Sequence, residues 1–211
     1  VVKVQPHKRK ISLQSGNEIP YDIISLNTGS FVPVAESMLT DESVFTVKPI
    51  ENLLKANRKV IEILKTRELK ATVVGGGPTG VEVAGNLDRL VRNEAGRCRI
   101  SLVAGTRLLP QFKASVRQRA LNSLGGRNVQ VMEGVRLAAV KDGAVELSDG
   151  TVLASDIIFM AIGVKPSPLF EDSGLPTGRD GGMLVNQYLQ CVSHPEIFGG
   201  GDCISFEPQP L

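Results

Sequence analysis

The sequence predicts an α/β fold, three layers built around a parallel sheet. Three observations carry that prediction. The β-branched run Ala71 to Val74 leads straight into Gly75-Gly76-Gly77-Pro78-Thr79-Gly80. Apolar residues then recur at helical spacing at Val81, Ala84, Leu87, Leu90 and Val91. A second apolar run, Ile100 to Val103, follows at the distance expected of the next strand in a strand–helix–strand unit.

The glycines at 75, 77 and 80 have the GxGxxG spacing, a weak signal alone and a strong one in this context. Gly75 allows a tight strand-to-helix turn. Gly77 lets the backbone come close to a pyrophosphate, and Gly80 lets the helix pack closely on the strand. The helix opening at Pro78 and Thr79 offers free N–H groups and about half a positive charge to phosphates. The unit is therefore Rossmann-like, and a nicotinamide nucleotide is its expected partner. Glu82 is expected in the first helical turn. It either complements the helix N-terminus or approaches the nicotinamide ribose.

The other elements follow in order. Residues 1–34 read as β-rich. Lys10 to Gln14 alternates, Ser15-Gly16-Asn17 turns, and Tyr21 to Leu26 forms a strand ending in Asn27-Thr28-Gly29-Ser30. Residues 35–49 carry few periodic signals and read as a linker. Ile50, Leu53, Leu54, Val60, Ile61 and Leu64 mark a helix to about Arg67. After the glycine unit, Val116 to Leu124 reads as a second crossover helix stopped by Gly125-Gly126. Val129 to Met132 is a strand. Residues 136–153 form a β-meander with turns at Asp142-Gly143 and Asp149-Gly150. Asp156 to Ala161 returns to the parallel sheet. From Pro166 the chain is loop-rich, with a last strand around Ile197-Phe198.

Composition narrows the function. At 211 residues the chain holds one large or two small domains. Aromatics make up 4% and Trp is absent, which argues against a stacking surface for nucleic acid. A net charge of +2 selects no partner. No apolar run approaches the roughly 20 residues of a membrane span, and no signal-peptide pattern is visible. Cys98, Cys191 and Cys203 form no CxxC and no metal-ligand cluster, so no metal is expected, and a cytoplasmic setting fits free thiols. The chain begins at Val1, as if inside a strand, and ends in Pro208-Gln209-Pro210-Leu211, so a piece of a longer protein is expected.

Coenzyme choice turns on a missing carboxylate. The acid that reads the ribose 2′-hydroxyl belongs at the end of the second strand. Here that place falls near Ala104-Gly105, and no Asp or Glu occurs between Ala95 and Met132. Thr106 and Arg107 stand just beyond it. A 2′-phosphate is thus admissible at Thr106 and Arg107, and NAD and NADP both remain open. The surrounding arginines have the alternative reading of a solvated face.

Three strand ends carry glycine: Asn27-Thr28-Gly29-Ser30, Ala161-Ile162-Gly163-Val164-Lys165-Pro166 and Phe198-Gly199-Gly200-Gly201-Asp202. Ligands of α/β sheets sit at such ends. In this order the motifs resemble the pyridine nucleotide–disulfide oxidoreductase superfamily of flavoproteins, over essentially the whole chain. The resemblance implies that Thr28 and Gly29 bind FAD. It implies that Gly163 lies near the nicotinamide, where Ile162 replaces the family's Thr. It implies that Gly201 and Asp202 meet the ribityl chain of FAD. The segments Tyr21 to Ser30, Val47-Lys48-Pro49-Ile50 and Gly85-Asn86-Leu87 most resemble one branch, which is similar to type II NADH dehydrogenases and is often fused ahead of selenide, water dikinase.

The implied organisation is a partial FAD-binding domain at 1–34, a linker at 35–49, an NAD(P)-binding domain at 50–164 and a return to the FAD-binding domain at 165–211. The implied function is hydride transfer from NAD(P)H to FAD and on to an acceptor, first a quinone, with a selenium or sulfur compound as the fusion branch's variant. Competing readings are a nucleotide-sensing scaffold, and a disulfide reductase whose redox cysteines lie outside this stretch. Residues 1–34 contain no GxGxxG turn of their own, so the chain alone is expected to bind FAD weakly or not at all. Stoichiometric flavin absorbance would contradict that. A homodimer, and peripheral membrane attachment of the whole protein, complete the expectations.

Overall fold

A computed structural model describes residues 1–207. The chain divides into two compact units. One is Val32–Gly163, and the other joins Val1–Phe31 to the chain from Val164 onward.

The unit 32–163 is an α/β fold on a five-stranded parallel sheet. Its strands stand in the order Val44–Thr46, Ile157–Met160, Leu69–Val74, Cys98–Val103, Val129–Met132. Leu69–Val74 and Ile157–Met160 are flanked on both sides, and their side chains are almost all buried. That is why both read as continuous apolar runs rather than alternating ones. Thr72 is the buried polar exception, and its hydroxyl shares a 2.6 Å hydrogen bond with Ser155. The helices Glu51–Leu64, Pro78–Asn93 and Ala114–Gly125 pack in series. Ala84, Leu87 and Val91 line the buried stripe of the middle helix at three- and four-residue steps. Asp88 lies on that stripe too. A buried carboxylate is costly unless paired, and Asp88 meets Arg92 and, at 3.5 Å, Arg127. The meander Leu137–Lys141, Ala144–Leu147, Val152–Ala154 adds Val145 and Leu147 to the same core.

The second unit is assembled from short strands. Ile24–Leu26 runs parallel to His194–Gly199, which pairs antiparallel with Gln190–Cys191. Lys3–Gln5, Lys10–Ser12 and Glu18–Pro20 form an antiparallel meander. Ser30–Phe31 pairs with Lys165–Pro166. Val4, Phe170, Met183 and Ile197 are fully buried at its core.

Three details differ from the sequence reading. The stretch 35–49 contains the helix Glu36–Leu39 and the sheet's edge strand Val44–Thr46. An edge strand of three residues, two half-buried and Thr46 buried, leaves too short a pattern to register in sequence. The strand expected over Tyr21 to Leu26 is confined to Ile24–Leu26, the three residues that pair with Ile197, Phe198 and Gly199. The loop-rich tail folds a helix at Leu169–Asp172, which buries Leu169 and Phe170. Among the described residues no helix is long and apolar enough to cross a membrane, and no His, Cys, Asp and Glu cluster could hold a metal.

Candidate functional site

In the unit 32–163 the chain leaves Leu69–Val74 toward one sheet edge, through Cys98–Val103 to Val129–Met132. It returns to the other side of Leu69–Val74 as Ile157–Met160. The strand order therefore reverses between Leu69–Val74 and Ile157–Met160, and the crevice at their carboxyl ends is where such sheets receive ligands. Gly75 and Ala161 stand there.

The four glycines of the turn divide by what surrounds them. Gly75 has φ +138°, and a Cβ on it would lie 2.1 Å from the Ala161 carbonyl oxygen. A Cβ on Gly80 would lie 1.9 Å from the Gly75 carbonyl oxygen. Gly76, which the GxGxxG spacing leaves free, is equally confined: its Cβ would lie 2.3 Å from the Ala104 carbonyl oxygen. The Gly76 carbonyl also accepts the Leu109 N–H at 2.7 Å. The only sequence trace of that constraint is that the three glycines are consecutive. Gly77 differs, because a Cβ there would meet nothing within 4 Å. It is the N-cap of Pro78–Asn93, with extended backbone, and no side chain caps the helix. The first amides of a helix lack intrahelical partners; Pro78 has none to offer, so those of Thr79 and Gly80 are the free donors.

A cavity of about 680 Å³ opens on this turn, within the range typical of small-ligand sites. Gly75, Gly77, Pro78 and Gly163 line it, with Ile162 beside Gly163. Its walls are mainly apolar, from Met38, Leu109, Phe112 and Leu137. The segment Pro33 to Met38, read in part as a linker, supplies one wall.

The loop after Cys98–Val103 is held from the end of Val129–Met132. Glu133, just past Met132, accepts the Leu108 N–H at 2.6 Å and the Arg117 guanidinium at 2.8 and 2.6 Å. The Leu108 amide, then Arg117, hold its carboxyl below the usual glutamate range. Arg107 donates to the Pro110 carbonyl at 2.9 Å, and neither Arg107 nor Thr106 is among the residues lining the cavity. Arg99 pairs with Glu68 and Arg127 with Asp88, so part of the basic stretch is a set of surface and helix-face ion pairs.

Glu82 is the fifth residue of its helix and stands in the second turn, because the helix begins at Pro78. It lines a separate recess of about 280 Å³, together with Arg89, Arg92 and Arg127.

In the other unit, the parallel pairing of Ile24–Leu26 with His194–Gly199 sets two glycine-bearing loops side by side. The Gly200 N–H donates to the Leu26 carbonyl at 3.1 Å, and the Ser30 hydroxyl donates to Asp202 at 3.0 Å. Gly29 and Gly201 have φ +66° and +71°. Thr28, Gly29, Gly201 and Asp202 thus come together at one sheet end. Cys98, Cys191 and Cys203 are all free thiols, and burial pushes the Cys98 thiol up.

Residues 1–210 match the family of pyridine nucleotide-disulphide oxidoreductases. Among curated proteins, the chain is 29% identical over 155 residues to the mitochondrial internal alternative NAD(P)H-ubiquinone oxidoreductase A1 of Solanum tuberosum, covering 70% of this chain and 31% of that protein. It is 28% identical to the nitrite reductase [NAD(P)H] of Bacillus subtilis, covering 96% of this chain and 24% of that one. The chain therefore spans under a third of the length of these two relatives. Among solved structures, reduced CoADR-RHD of Bacillus anthracis matches with a TM-score of 0.80 at 26% identity, over 97% of this chain and 37% of that one. A ferredoxin reductase of Rhodopseudomonas palustris matches at 0.79 and 25%, over 98% and 50%.

Proposed function

The chain belongs to the pyridine nucleotide-disulphide oxidoreductase family of NAD(P)H-dependent flavoproteins, and on that premise we propose that it carries the nicotinamide-nucleotide site and part of the flavin site of an oxidoreductase. The observation that carries this reading is Gly77. It is the one glycine of the turn with open space in front of it, at an uncapped helix N-terminus and on the wall of the cavity. That arrangement fits a pyrophosphate, which needs close backbone approach and unpaired N–H donors.

In this reading the Thr79 and Gly80 amides donate to phosphate oxygens. The apolar walls hold the rings of the coenzyme and keep water from the reacting carbon. Gly163, with φ +100° and nothing within 4 Å of a Cβ, leaves room at the cavity rim for the nicotinamide. In the other unit, Thr28 and Gly29 line the flavin side, and Asp202 accepts hydrogen bonds from ribityl hydroxyls. When bound, FAD supplies the redox chemistry, taking a hydride from NAD(P)H and passing electrons on. The chain's own residues bind and orient; none is assigned a proton-transfer step. The proposed acceptor is a quinone, supported by the name of the potato relative. The chain's three free cysteines give a disulfide acceptor no support.

Gly77→Val tests the reading. The backbone at Gly77, φ −81°, suits a residue with a side chain, and no neighbour lies within 4 Å of its Cβ. The variant is expected to keep its melting temperature and lose at least about tenfold in affinity for both NADH and NADPH by calorimetry, about 1.4 kcal/mol. Unchanged affinity would overturn the site. Turnover of the full-length FAD-loaded protein with a soluble quinone analogue tests the acceptor; reduction of dyes but of no quinone would reject that part.

A further inference from the structure

We propose that Arg136, from the meander, rather than Arg107, binds the adenosine 2′-phosphate of NADP(H) and so sets coenzyme choice, an inference that rests on the nicotinamide-nucleotide reading of the cavity. Arg136 is the only charged side chain among the described residues that line the cavity. The chain reaches this place by tertiary pairing. The strand Cys98–Val103 runs out at Ala104-Gly105, where the adenosine ribose lies in folds of this kind. Gly105 forms an antiparallel bridge with Val135, and its carbonyl accepts the Gly134 N–H at 2.6 Å. These contacts carry Arg136 to the end of the second strand.

Its main chain is then fixed. The Arg136 N–H donates to the Ser148 hydroxyl at 3.1 Å, and its carbonyl accepts the Ser148 N–H at 2.8 Å. The guanidinium extends to within 3.5 Å of the Thr106 hydroxyl, the residue that flanks the ribose position. Among the described residues no carboxylate pairs with Arg136, so the guanidinium donors not directed at Thr106 are available to a ligand. The neighbouring cations are committed elsewhere: Arg107 to the Pro110 carbonyl, Arg117 to Glu133. Glu133, the carboxylate nearest in sequence, is occupied by Arg117 and the Leu108 N–H, and does not line the cavity.

Ligand chemistry follows from this inventory. A ribose 2′-hydroxyl is recognised by a carboxylate acceptor, and the cavity has none. A 2′-phosphate is recognised by a guanidinium, whose planar fork binds it through two parallel N–H donors. The Thr106 hydroxyl, outside the cavity lining, accepts from the guanidinium and steadies it. An arginine stacked on the adenine ring would instead hold both coenzymes equally, and the test separates the two.

The experiment compares NADPH and NADH affinity by calorimetry for the protein and for Arg136→Gln, Arg136→Lys and Arg107→Gln, with melting temperatures to confirm folding. Arg136→Gln is expected to weaken NADPH about tenfold to a hundredfold, the range of a charged hydrogen-bonded contact, and NADH less than about twofold. Arg136→Lys is expected to recover part of the NADPH affinity. Three results would overturn the assignment. One is equal loss for both coenzymes, which means stacking on adenine. Another is a larger shift in preference from Arg107→Gln than from Arg136→Gln. The third is an unmodified protein that strongly prefers NADH. A protein that binds neither coenzyme overturns the nicotinamide-nucleotide reading as well, which distinguishes the two failures.

Discussion

In the turn at 75–80, Gly75, Gly76 and Gly80 are pressed against main-chain carbonyls, and a side chain on any of them would collide with backbone. In the loops at 27–30 and 200–202, Gly29 and Gly200 face open space, and Gly201 meets only the side-chain oxygen of Asn27, at 2.9 Å. The first region is closed by packing. The second is held by backbone dihedrals and hydrogen bonds such as Ser30 to Asp202. The same residue type thus does two jobs: it allows close packing in the turn at 75–80 and a left-handed backbone at Gly29 and Gly201 in the loops. Gly77, open within an otherwise closed turn, is the exception that marks where a ligand fits.

The largest expected effect breaks the closed region. Gly80→Ala puts a methyl 1.9 Å from the Gly75 carbonyl oxygen, and neither the strand end nor the helix can give way alone. A loss of about 3 kcal/mol is expected, the upper part of the usual cost of overpacking, with a fall of roughly 10 °C in melting temperature. A melting curve like that of the unmodified protein would mean that the turn is softer than its geometry implies.

A middle case sharpens the comparison. The loop 105–110 belongs to the closed unit but is held by a charge, through Glu133. Its folded pKa lies below the ordinary glutamate range, so this carboxylate contributes stability above that range and loses it as pH falls through the folded value. Hydrogen exchange at the Leu108 amide should accelerate when pH drops below the glutamate range, after correction for intrinsic rates. Glu133→Gln, which keeps an acceptor and removes the titration, should abolish that dependence. A pH-independent Leu108 amide in the unmodified protein would show that packing alone holds the loop.

The smallest effect concerns the open loops. Gly29→Ala meets no neighbour and incurs only the left-handed backbone cost, about 1 kcal/mol. Its stability change should be well below that of Gly80→Ala. Parity between the two would mean that close packing at Gly80 adds nothing to the backbone cost.

Legibility in the sequence follows the range of the interactions. The helix Pro78–Asn93 and the strands Leu69–Val74, Val129–Met132 and Ile157–Met160 were readable because burial on one stripe or on both faces leaves a local apolar pattern. The edge strand Val44–Thr46 was not, because three residues paired on one side leave almost no pattern. Glu82 was expected in the first turn and stands in the second, where it lines a recess with three arginines. One helical turn is a matter of where the helix begins, and Gly77's extended backbone decides that.

The sequence alone determined the α/β class, the glycine turn at the head of a helix and the three glycine-ended strands, since each is written in residues within a few positions of one another. It also established that no carboxylate follows the second strand. Only the tertiary structure decided which charged side chain meets the cavity. Arg107 lies in the loop nearest that strand end, yet it turns to its own loop's carbonyl. Arg136 arrives through the pairing of Gly105 with Val135, a contact between segments distant in sequence that no local pattern encodes.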